Sequence, residues 1–315
     1  MRYSRIIGNG GFLPKKIVTN EDLEKTLDTS HAWIVERTGI MQRHIASIQD
    51  TTSSMAIAAA RSALIGSTIA ARDLGMIIVA TTTPDNFFPS TACAVQAALG
   101  ISNCPAFDVS AACAGFNYAL TVADQFIRTG FVDSALVIGS ETMSRILDWQ
   151  DRSTCILFGD GAGAVLLQAD ECPGIISSQL YADGSYQDML HVSSGLLGTD
   201  SKIKMRGNEV FKVAVQQLST ALNQILAVND LTTDTLDWLI PHQANLRIIG
   251  ALAKKLTMPL ERIVISLDRH GNTSSASIPL ALNTAIADGR IQKGQLLLLE
   301  SFGAGFTWGA TLLRY

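Results

Sequence analysis

Two blocks of the chain repeat one order of predicted elements: strand, helix, strand, a turn of small residues, helix and strand. The first block, 76–139, has Cys113 in its turn, and the second, 236–299, has Asn272 in its turn. Strands that alternate with helices predict an α/β fold with a largely buried sheet. Two copies of one βαβαβ unit would bring the two turns face to face across a pseudo-twofold axis, although any α/β chain of this size contains similar runs.

The apolar runs and helical periodicity set the bounds of the predicted elements. Strands are predicted at 74–81, 106–109, 135–139, 162–167, 236–240, 263–266, 296–299 and 310–314. Helices are predicted at 53–64, 91–99, 115–129, 208–226, 246–256 and 278–288. Residues 172–204 carry turn signals and few apolar runs, so we expect loops and short strands at the entrance to a site.

Composition limits the classes of function. Of the 315 residues 47% are hydrophobic and 17% are charged, which is enough for a large core. A net charge of −4 gives no basic field for nucleic acid or an anionic membrane, and no apolar run approaches the length of a membrane span. The odd count of 5 cysteines without a C-x-x-C pair, and an N-terminus without a long apolar stretch, predict a reduced, cytoplasmic protein. The spacing of His, Cys and Asp offers no metal site, and no cofactor is expected.

Cys113 lies where a predicted strand ends and a predicted helix begins, in the run FDVSAACAGFNYAL at 107–120. A thiol at a helix N-terminus meets unpaired backbone N–H groups and the positive end of the helix dipole. Both features are expected to lower the thiol pKa and make Cys113 a nucleophile. The alternative is a small buried hydrophobic residue, and this segment alone favours neither.

Three further segments lie where predicted strands end and carry polar side chains or unshielded backbone N–H groups. His242 follows the strand at 236–240, Asn272 lies in HGNTS at 270–274, and FGAGFTWG at 302–309 leaves backbone N–H groups unshielded as oxyanion donors. Each has a structural alternative: a hydrogen-bonded core histidine, a polar turn that caps a helix, and a simple bend. Four such segments on one α/β chain favour a catalytic site.

The chain resembles the β-ketoacyl-[acyl-carrier-protein] synthase III family of thiolase-like condensing enzymes over essentially its whole length. The motifs that carry the resemblance are WIVERTGI at 33–40, AACAGF at 111–116, FGDGAGA at 158–164, GNEVFK at 207–212, PHQAN at 241–245, HGNTS at 270–274 and FGAGFTWG at 302–309. The resemblance implies a five-layered αβαβα fold from two duplicated halves, 1–170 with the cysteine and 171–315 with the histidine and asparagine. Ala304 departs from the glycine that is common in the family, and its methyl group could trim the acyl pocket.

The resemblance implies a catalytic triad of Cys113, His242 and Asn272. Cys113 would accept an acyl group from a short acyl-CoA, expected to be acetyl-CoA, in an oxyanion hole formed by the backbone N–H groups of Cys113 and Gly305. Malonyl-acyl carrier protein would then lose CO₂, and its enolate would receive hydrogen bonds from His242 and from the Asn272 amide. The carbanion would attack acyl-Cys113 and give a 3-oxoacyl product, the first step of type II fatty-acid synthesis.

The resemblance also places residues around the substrates. For CoA it implies that Trp33 stacks on the adenine, that Arg37 and Arg152 meet the nucleotide, and that Gly207 and Asn245 line the pantetheine tunnel. Without the resemblance, Trp33 and Arg37 would be assigned to an ordinary amphipathic surface.

A basic face is predicted to bind the acidic acyl carrier protein. Its residues are Lys212, Gln243, Arg247, Lys254 and Lys255. Arg247, Lys254 and Lys255 share a face of the helix at 246–256, and a solvated helix face is the alternative.

Phe88 resembles the family residue that crosses a homodimer and caps the acyl pocket of the partner, with Phe158 and Phe302 expected to close the same pocket. A bulky ring there would favour short primers.

Three other functions remain open at this point. One is a same-fold enzyme of secondary metabolism that uses longer or unusual acyl-CoA. A papain-like hydrolase also uses Cys, His and Asn, but its signature around the cysteine is missing. An inactive binding protein would not need the intact triad.

Overall fold

A computed structural model describes residues 2–195, 198 and 201–315. Its strands are β1 (Tyr3–Phe12), β2 (Lys16–Thr19), β3 (Gln42–Ile45), β4 (Ile77–Ala80), β5 (Ala106–Val109), β6 (Ser134–Glu141), β7 (Gly161–Asp170), β8 (Ile175–Ala182), β9 (Leu190–His191), β10 (Lys204–Met205), β11 (Trp238–Pro241), β12 (Leu296–Gly303) and β13 (Thr307–Arg314). Its α-helices are α1 (Asn20–Glu24), α2 (His31–Thr38), α3 (Thr52–Leu64), α4 (Thr91–Ala98), α5 (Gly115–Arg128), α6 (Gly207–Ala227), α7 (Leu246–Leu256), α8 (Leu267–His270) and α9 (Ser277–Ala287).

Two sheets repeat one topology. The first has the order β5-β4-β6-β7-β1, with β5, β4 and β6 parallel and with β7 and β1 added antiparallel. The second has the order β11-β12-β13-β8, with β11 and β12 parallel and with β13 and β8 added antiparallel. Ile263 forms a single parallel bridge with Leu239 of β11, at the place that β5 takes beside β4. The strands therefore correspond pairwise between the sheets.

Three hydrophobic clusters define the layers. One packs α3 and α4 against the outer face of the first sheet, and another packs α6 and α7 against the outer face of the second sheet. Between the sheets, α5 and α9 share a cluster with residues of both. The order of layers is α–β–α–β–α, which confirms the predicted fold class. The expected boundary between residues 170 and 171 falls in the short connection from β7 to β8.

The structure departs from the predicted elements at several places: β2, β3, α1, α2 and α8 were not predicted, and three further differences bear on the two main sheets. The strand β1 was not predicted, because Gly8, Gly10 and Gly11 interrupt its apolar pattern. Gly8 and Gly10 let α3 pack directly on the strand: a β-carbon on Gly10 would lie 2.4 Å from the backbone nitrogen of Ala63. Gly11 faces α9 instead, where a β-carbon would lie 3.0 Å from Leu280. The strand predicted at 263–266 was wrong, since only Ile263 pairs there. Within 172–204, which was predicted as loops and short strands, β8 is a full strand of 8 residues.

Within the described ranges, no helix has both the length and the apolar character that a membrane span requires.

Candidate active site

Cys113 lies in a 3₁₀ turn, Ala112–Ala114, that joins β5 to α5. Ala112 has φ +45°, a left-handed conformation that is unfavourable for alanine and that marks a constrained turn. The cysteine is buried, and a β-carbon on Gly303 would lie 2.6 Å from its backbone nitrogen. A side chain is thus excluded at position 303, and the end of β12 approaches the backbone of the Cys113 turn closely.

His242 follows β11 and is held at two points. Its backbone N–H donates to the carbonyl of Glu300 over 2.6 Å, and its Nδ1 lies 2.6 Å from Oγ of Ser277, the first residue of α9. The ring is buried and lines the same cavity as Cys113. Because Nδ1 is occupied, Nε2 is the ring nitrogen that remains for a substrate.

Asn272 lies between α8 and the 3₁₀ turn Ser274–Ala276. Its backbone N–H donates to Leu157 over 2.8 Å, and its carbonyl accepts from Gly159 over 2.9 Å. Its Oδ1 accepts a hydrogen bond from the backbone N–H of Ser274 over 2.9 Å. This bond fixes the orientation of the amide, so Nδ2 is left as a donor.

Cys113 stands at the junction of two cavities. The first, of about 290 Å³, is lined by Cys113, His242 and Asn272 and extends to Trp33. The second, of about 1160 Å³, extends to Phe88. Cys113 and two other residues, Phe158 and Leu190, line both cavities. A group attached to the thiol could therefore extend into one cavity while a second molecule enters through the other.

Burial controls the protonation of the site. It raises the pKa of Cys113 to about 12, with a smaller contribution from the nearby Glu141 carboxyl, while a hydrogen bond with Ser274 opposes the shift. The prediction of a lowered thiol pKa was therefore wrong: loss of solvation at this turn outweighs the helix N-terminus. Burial also lowers the pKa of His242 to about 3. The ligand-free site holds a neutral thiol beside a neutral imidazole.

The mouth of the first cavity gathers the residues predicted to bind CoA. Trp33, Arg37, Gly207 and Asn245 line it. The guanidinium carbon of Arg37 lies 4.6 Å from the centre of the Trp33 ring, and that of Arg152 lies 5.1 Å from it. The structure thus brings the predicted aromatic and cationic groups together at one opening.

The predicted basic face is only partly on the surface. Lys212, Arg247, Lys254 and Lys255 are exposed, and Arg247 also lines the mouth of the first cavity. Gln243 is buried: its amide donates to Pro241 and accepts from Ser266 across 2.9 Å. The assignment of Gln243 to a carrier-protein surface was wrong, since its side chain joins backbone segments below that surface.

The remaining predicted residues separate into two groups. Phe158 and Phe302 are buried: Phe302 lines the first cavity and Phe158 lines both, whereas Phe88 is 86% exposed at the rim of the second. Gly305, predicted as an oxyanion donor, lines neither cavity; Gly303 lines the first and Ala304 the second, both together with Cys113. Residues 303–304 are therefore the part of this loop that shares a cavity with Cys113.

Two polar residues beside the site were missed by the sequence analysis. Ser277 binds the ring of His242, and nothing in its local pattern separates it from other serines of a helix N-terminus. Glu141 ends the apolar strand β6 and is fully buried. It accepts hydrogen bonds from the Thr83 hydroxyl over 2.6 Å and from the hydroxyls of Ser274 and Ser275 over 3.1 and 2.9 Å. A carboxylate that ends an otherwise apolar strand was the available signal.

The described part of the chain contains no group of three or more His, Cys, Asp or Glu residues arranged to hold a metal ion.

Two family models match the chain. Residues 107–184 match 3-oxoacyl-[acyl-carrier-protein (ACP)] synthase III, and residues 226–315 match the C-terminal model of the same family. A β-ketoacyl-[acyl-carrier-protein] synthase III of Thioalkalivibrio sulfidiphilus is 56% identical over 322 residues, covering 100% of both chains.

Solved structures agree in fold. A 3-oxoacyl-[acyl-carrier-protein] synthase III from Aquifex aeolicus is 47% identical, with a TM-score of 0.96 over 99% of this chain and 100% of that one. The priming β-ketosynthase of the R1128 polyketide pathway is 36% identical, with a TM-score of 0.95 over 99% and 96%. With these matches along its length and the duplicated five-layered fold, the chain belongs to the β-ketoacyl-[acyl-carrier-protein] synthase III family of thiolase-like condensing acyltransferases.

Proposed function

We propose that the protein condenses a short acyl-CoA, acetyl-CoA in the first instance, with malonyl-acyl carrier protein to give a 3-oxoacyl-acyl carrier protein, CoA and CO₂. The observation that carries this proposal is the position of Cys113 at the junction of two cavities, with His242 and Asn272 on the wall of one. A two-substrate reaction through a covalent intermediate needs such a junction.

In the first half-reaction, Cys113 attacks the thioester carbonyl and CoA leaves. The thiol proton passes to Nε2 of His242, since burial opposes a free thiolate, and then to the departing CoA sulfur. The oxyanion receives hydrogen bonds from the backbone N–H of Cys113 and from the loop at 303–305. We assign the second donor to Ala304 rather than Gly305, because Ala304 lines a cavity together with Cys113.

In the second half-reaction, the malonyl thioester occupies the first cavity. Loss of CO₂ leaves an enolate, whose oxygen accepts hydrogen bonds from Nε2–H of His242 and from Nδ2 of Asn272. The bond from Ser274 to Oδ1 of Asn272 supports this role, because it turns the amide nitrogen to the cavity. The enolate carbon then attacks the carbonyl of acyl-Cys113 and expels the sulfur as a thiolate. This thiolate takes the Nε2 proton of His242 while solvent water gives one proton to Nδ1, so the thiol is regenerated.

The substrates reach the site through the mouth at Trp33. We place the adenine of CoA beside Trp33 and its phosphates near Arg37 and Arg152, which already stack on that ring. The exposed Arg247, Lys254, Lys255 and Lys212 form the proposed docking face for the acidic carrier protein, next to the same mouth.

We further propose a cytoplasmic homodimer. Phe87 and Phe88 are adjacent and 74% and 86% exposed, and such an apolar pair is typical of an interface. In the dimer, Phe88 of one protomer would narrow the second cavity of its partner. Light scattering should show twice the mass of the 33.7 kDa chain; a monomer at micromolar concentration would remove this part of the proposal.

One observation favours a second candidate. The second cavity, at about 1160 Å³ in the single chain, exceeds what an acetyl group needs. A longer primer would fit if Phe88 of a partner leaves part of it open, and the protein would then start a specialised pathway with the same chemistry.

Reconstituted condensation tests the proposal. Purified protein, acetyl-CoA and malonyl-acyl carrier protein should give 3-oxobutanoyl-acyl carrier protein by mass spectrometry, and C113S should give none. Product from hexanoyl-CoA or octanoyl-CoA but not from acetyl-CoA would select the second candidate. Absence of product from every primer would overturn both.

A further inference from the structure

The ring of His242 is held by a hydroxyl group, which can both donate and accept a hydrogen bond. Its Nδ1 lies 2.6 Å from the hydroxyl of Ser277, which is 2% exposed. The backbone N–H of Gln243 also points at this oxygen, over 3.4 Å. That contact uses one lone pair of Oγ, so the hydroxyl keeps its own proton and a second lone pair for the imidazole.

A hydroxyl can serve either tautomer of a neutral imidazole. When Nδ1 carries the proton, Oγ accepts from it; when Nδ1 is bare, the O–H rotates and donates to it. His44 shows the contrast within the same chain, because its Nδ1 faces the backbone carbonyl of Pro14 over 2.6 Å. A carbonyl only accepts, so it allows a single tautomer. Burial keeps the His242 ring neutral, which makes the position of its one proton decisive.

The two half-reactions of the proposed function need opposite tautomers. To accept the thiol proton of Cys113, Nε2 must be unprotonated, so the single ring proton must be on Nδ1. To donate a hydrogen bond to the oxygen of the enolate, Nε2 must carry the proton, so Nδ1 must be unprotonated. A fixed acceptor at Nδ1 would favour the first half-reaction and oppose the second.

We propose that Ser277 is a positioning residue that stabilises both neutral tautomers of His242, so that one ring serves as proton acceptor during acylation and as hydrogen-bond donor during decarboxylation. The inference rests on the proposed function and deepens it. Ser277 touches neither substrate in this account; it acts only through the ring of His242.

The proton count balances in each step. During acylation the Cys113 proton moves to Nε2 and then to the CoA sulfur, so the ring returns to its Nδ1–H form. After CoA leaves, solvent water gives one proton to Nε2 and takes one from Nδ1, with no change in net charge. After the carbon–carbon bond forms, the expelled Cys113 thiolate takes the Nε2 proton and solvent water gives one proton to Nδ1, which restores the Nδ1–H form. The Ser277 hydroxyl keeps its proton throughout and only rotates.

A direct test uses ¹⁵N NMR of the His242 ring in the wild-type protein. The free enzyme should show Nδ1 protonated and Nε2 bare. Bound to an analogue of malonyl-CoA in which an amide replaces the thioester, it should show Nε2 protonated and Nδ1 bare. The same tautomer in both states would overturn the proposal, and this test does not depend on any variant that has to fold.

Variants at position 277 give a second test, with the two half-reactions measured separately. S277D puts an acceptor-only carboxylate at Nδ1, so acylation should persist while CO₂ release falls by about 100-fold, the scale of one positioned proton-transfer group. S277A should slow both half-reactions, and S277T, which keeps the hydroxyl, should restore part of each. Thermal melting identifies any variant that does not fold.

The outcomes distinguish failure of the role proposed for Ser277 from failure of the proposed condensing activity. Equal loss of both half-reactions in folded S277D, or wild-type rates in S277A, would overturn the role of Ser277. Failure of the wild-type protein to acylate Cys113 from any acyl-CoA would instead overturn the proposed function.

Discussion

The reactive side chains of this protein are neutral at rest. Cys113 and His242 lie at the centre of the molecule, and burial penalises the charged form of each, which raises the thiol pKa and lowers the imidazole pKa. In the proposed mechanism, the thiol is therefore activated by transfer of its proton to His242 as the substrate reacts, and not by a thiolate that is already present in the free enzyme. This arrangement limits side reactions of the thiol while the site is empty.

Alkylation of Cys113 should depend on pH in a diagnostic way. Because the pKa is raised to about 12, the thiolate fraction is far below one at pH 7 and should grow tenfold with each pH unit up to pH 10. The rate of iodoacetamide modification, with the rate of C113S subtracted to remove the other four cysteines, measures this fraction. A plateau below pH 9 would show an ordinary or lowered pKa and contradict the account.

Removal of the Asn272 amide should separate the half-reactions. In N272A the enolate loses one donor, so decarboxylation should fall by about 100- to 1,000-fold, as for other oxyanion donors. Acylation of Cys113 does not use this amide and should change by less than about tenfold, well under the loss of one such donor. Release of CO₂ and the mass of the acyl-enzyme report the two steps, and equal loss of both would refute the division of labour.

The three residues predicted as the triad line one cavity, but the sequence did not predict all of their surroundings. Cys113, His242 and Asn272 stand in motifs that identify them one by one. Gln243 lies in the same motif as His242, yet burial turns its side chain inward, and sequence alone does not report direction. Ser277 is close to His242 only because α9 packs beside the end of β11, a contact between residues 35 positions apart.

At the scale of single elements, sequence patterns predicted most helices well and some strands poorly. The bounds of α7 were predicted without error, since its apolar face repeats with a clear period and Asn245 caps its N-terminus. The strand β1 was missed because Gly8 and Gly10 stand where an apolar side chain would be expected, and they allow close contact with α3. The run at 263–266 is the opposite case, because it was predicted as a strand but is not one. It lies beside β11 at the edge of the sheet, where only Ile263 forms a bridge.

The contact between β1 and α3 yields a matched pair of stability tests. In G10A the new methyl group would lie 2.4 Å from the backbone nitrogen of Ala63, so the helix must move away from the sheet. We expect a loss of about 2–3 kcal/mol in the free energy of unfolding, as for other overpacked sites.

The control is G250A in α7. Apart from its chain neighbours and the backbone of the same helix, no described heavy atom lies within 4 Å of the new β-carbon. This variant should gain about 0.5–1 kcal/mol, because alanine favours the helix over glycine. Denaturant unfolding measures both changes. A neutral G10A would show that β1 and α3 are not packed as described.

At the scale of the whole molecule, duplication sets the position of the site. The turn before α5 and the turn before α9 are both short 3₁₀ segments that begin with a left-handed residue, Ala112 at φ +45° and Ser274 at φ +50°. Cys113 therefore corresponds to Ser275, and Asn272 lies three positions before it. The repeated order of elements in the sequence predicted that the two turns correspond. Which residue of one turn matches which residue of the other was seen only from the backbone conformation.

The basic face at the cavity mouth should act on the carrier-protein substrate alone. In the double variant R247E/K254E, like charges would meet across the docking face, and we expect the KM for malonyl-acyl carrier protein to rise about tenfold, equivalent to about 1.4 kcal/mol. The rate of Cys113 acylation by a short pantetheine thioester should be unchanged. K293E, an exposed charge reversal beyond α9, is the matched control. An unchanged KM in the double variant would remove this face from the docking surface.

The most direct measurement is intact-protein mass spectrometry after brief incubation with a panel of acyl-CoAs, wild type beside C113S. We expect rapid addition of a single acetyl group to the wild-type protein and none to C113S. Addition only from longer acyl-CoAs would keep the mechanism and change the primer. If no donor modifies the wild-type protein, or if C113S is modified equally, Cys113 is not the nucleophile and the proposed mechanism is wrong.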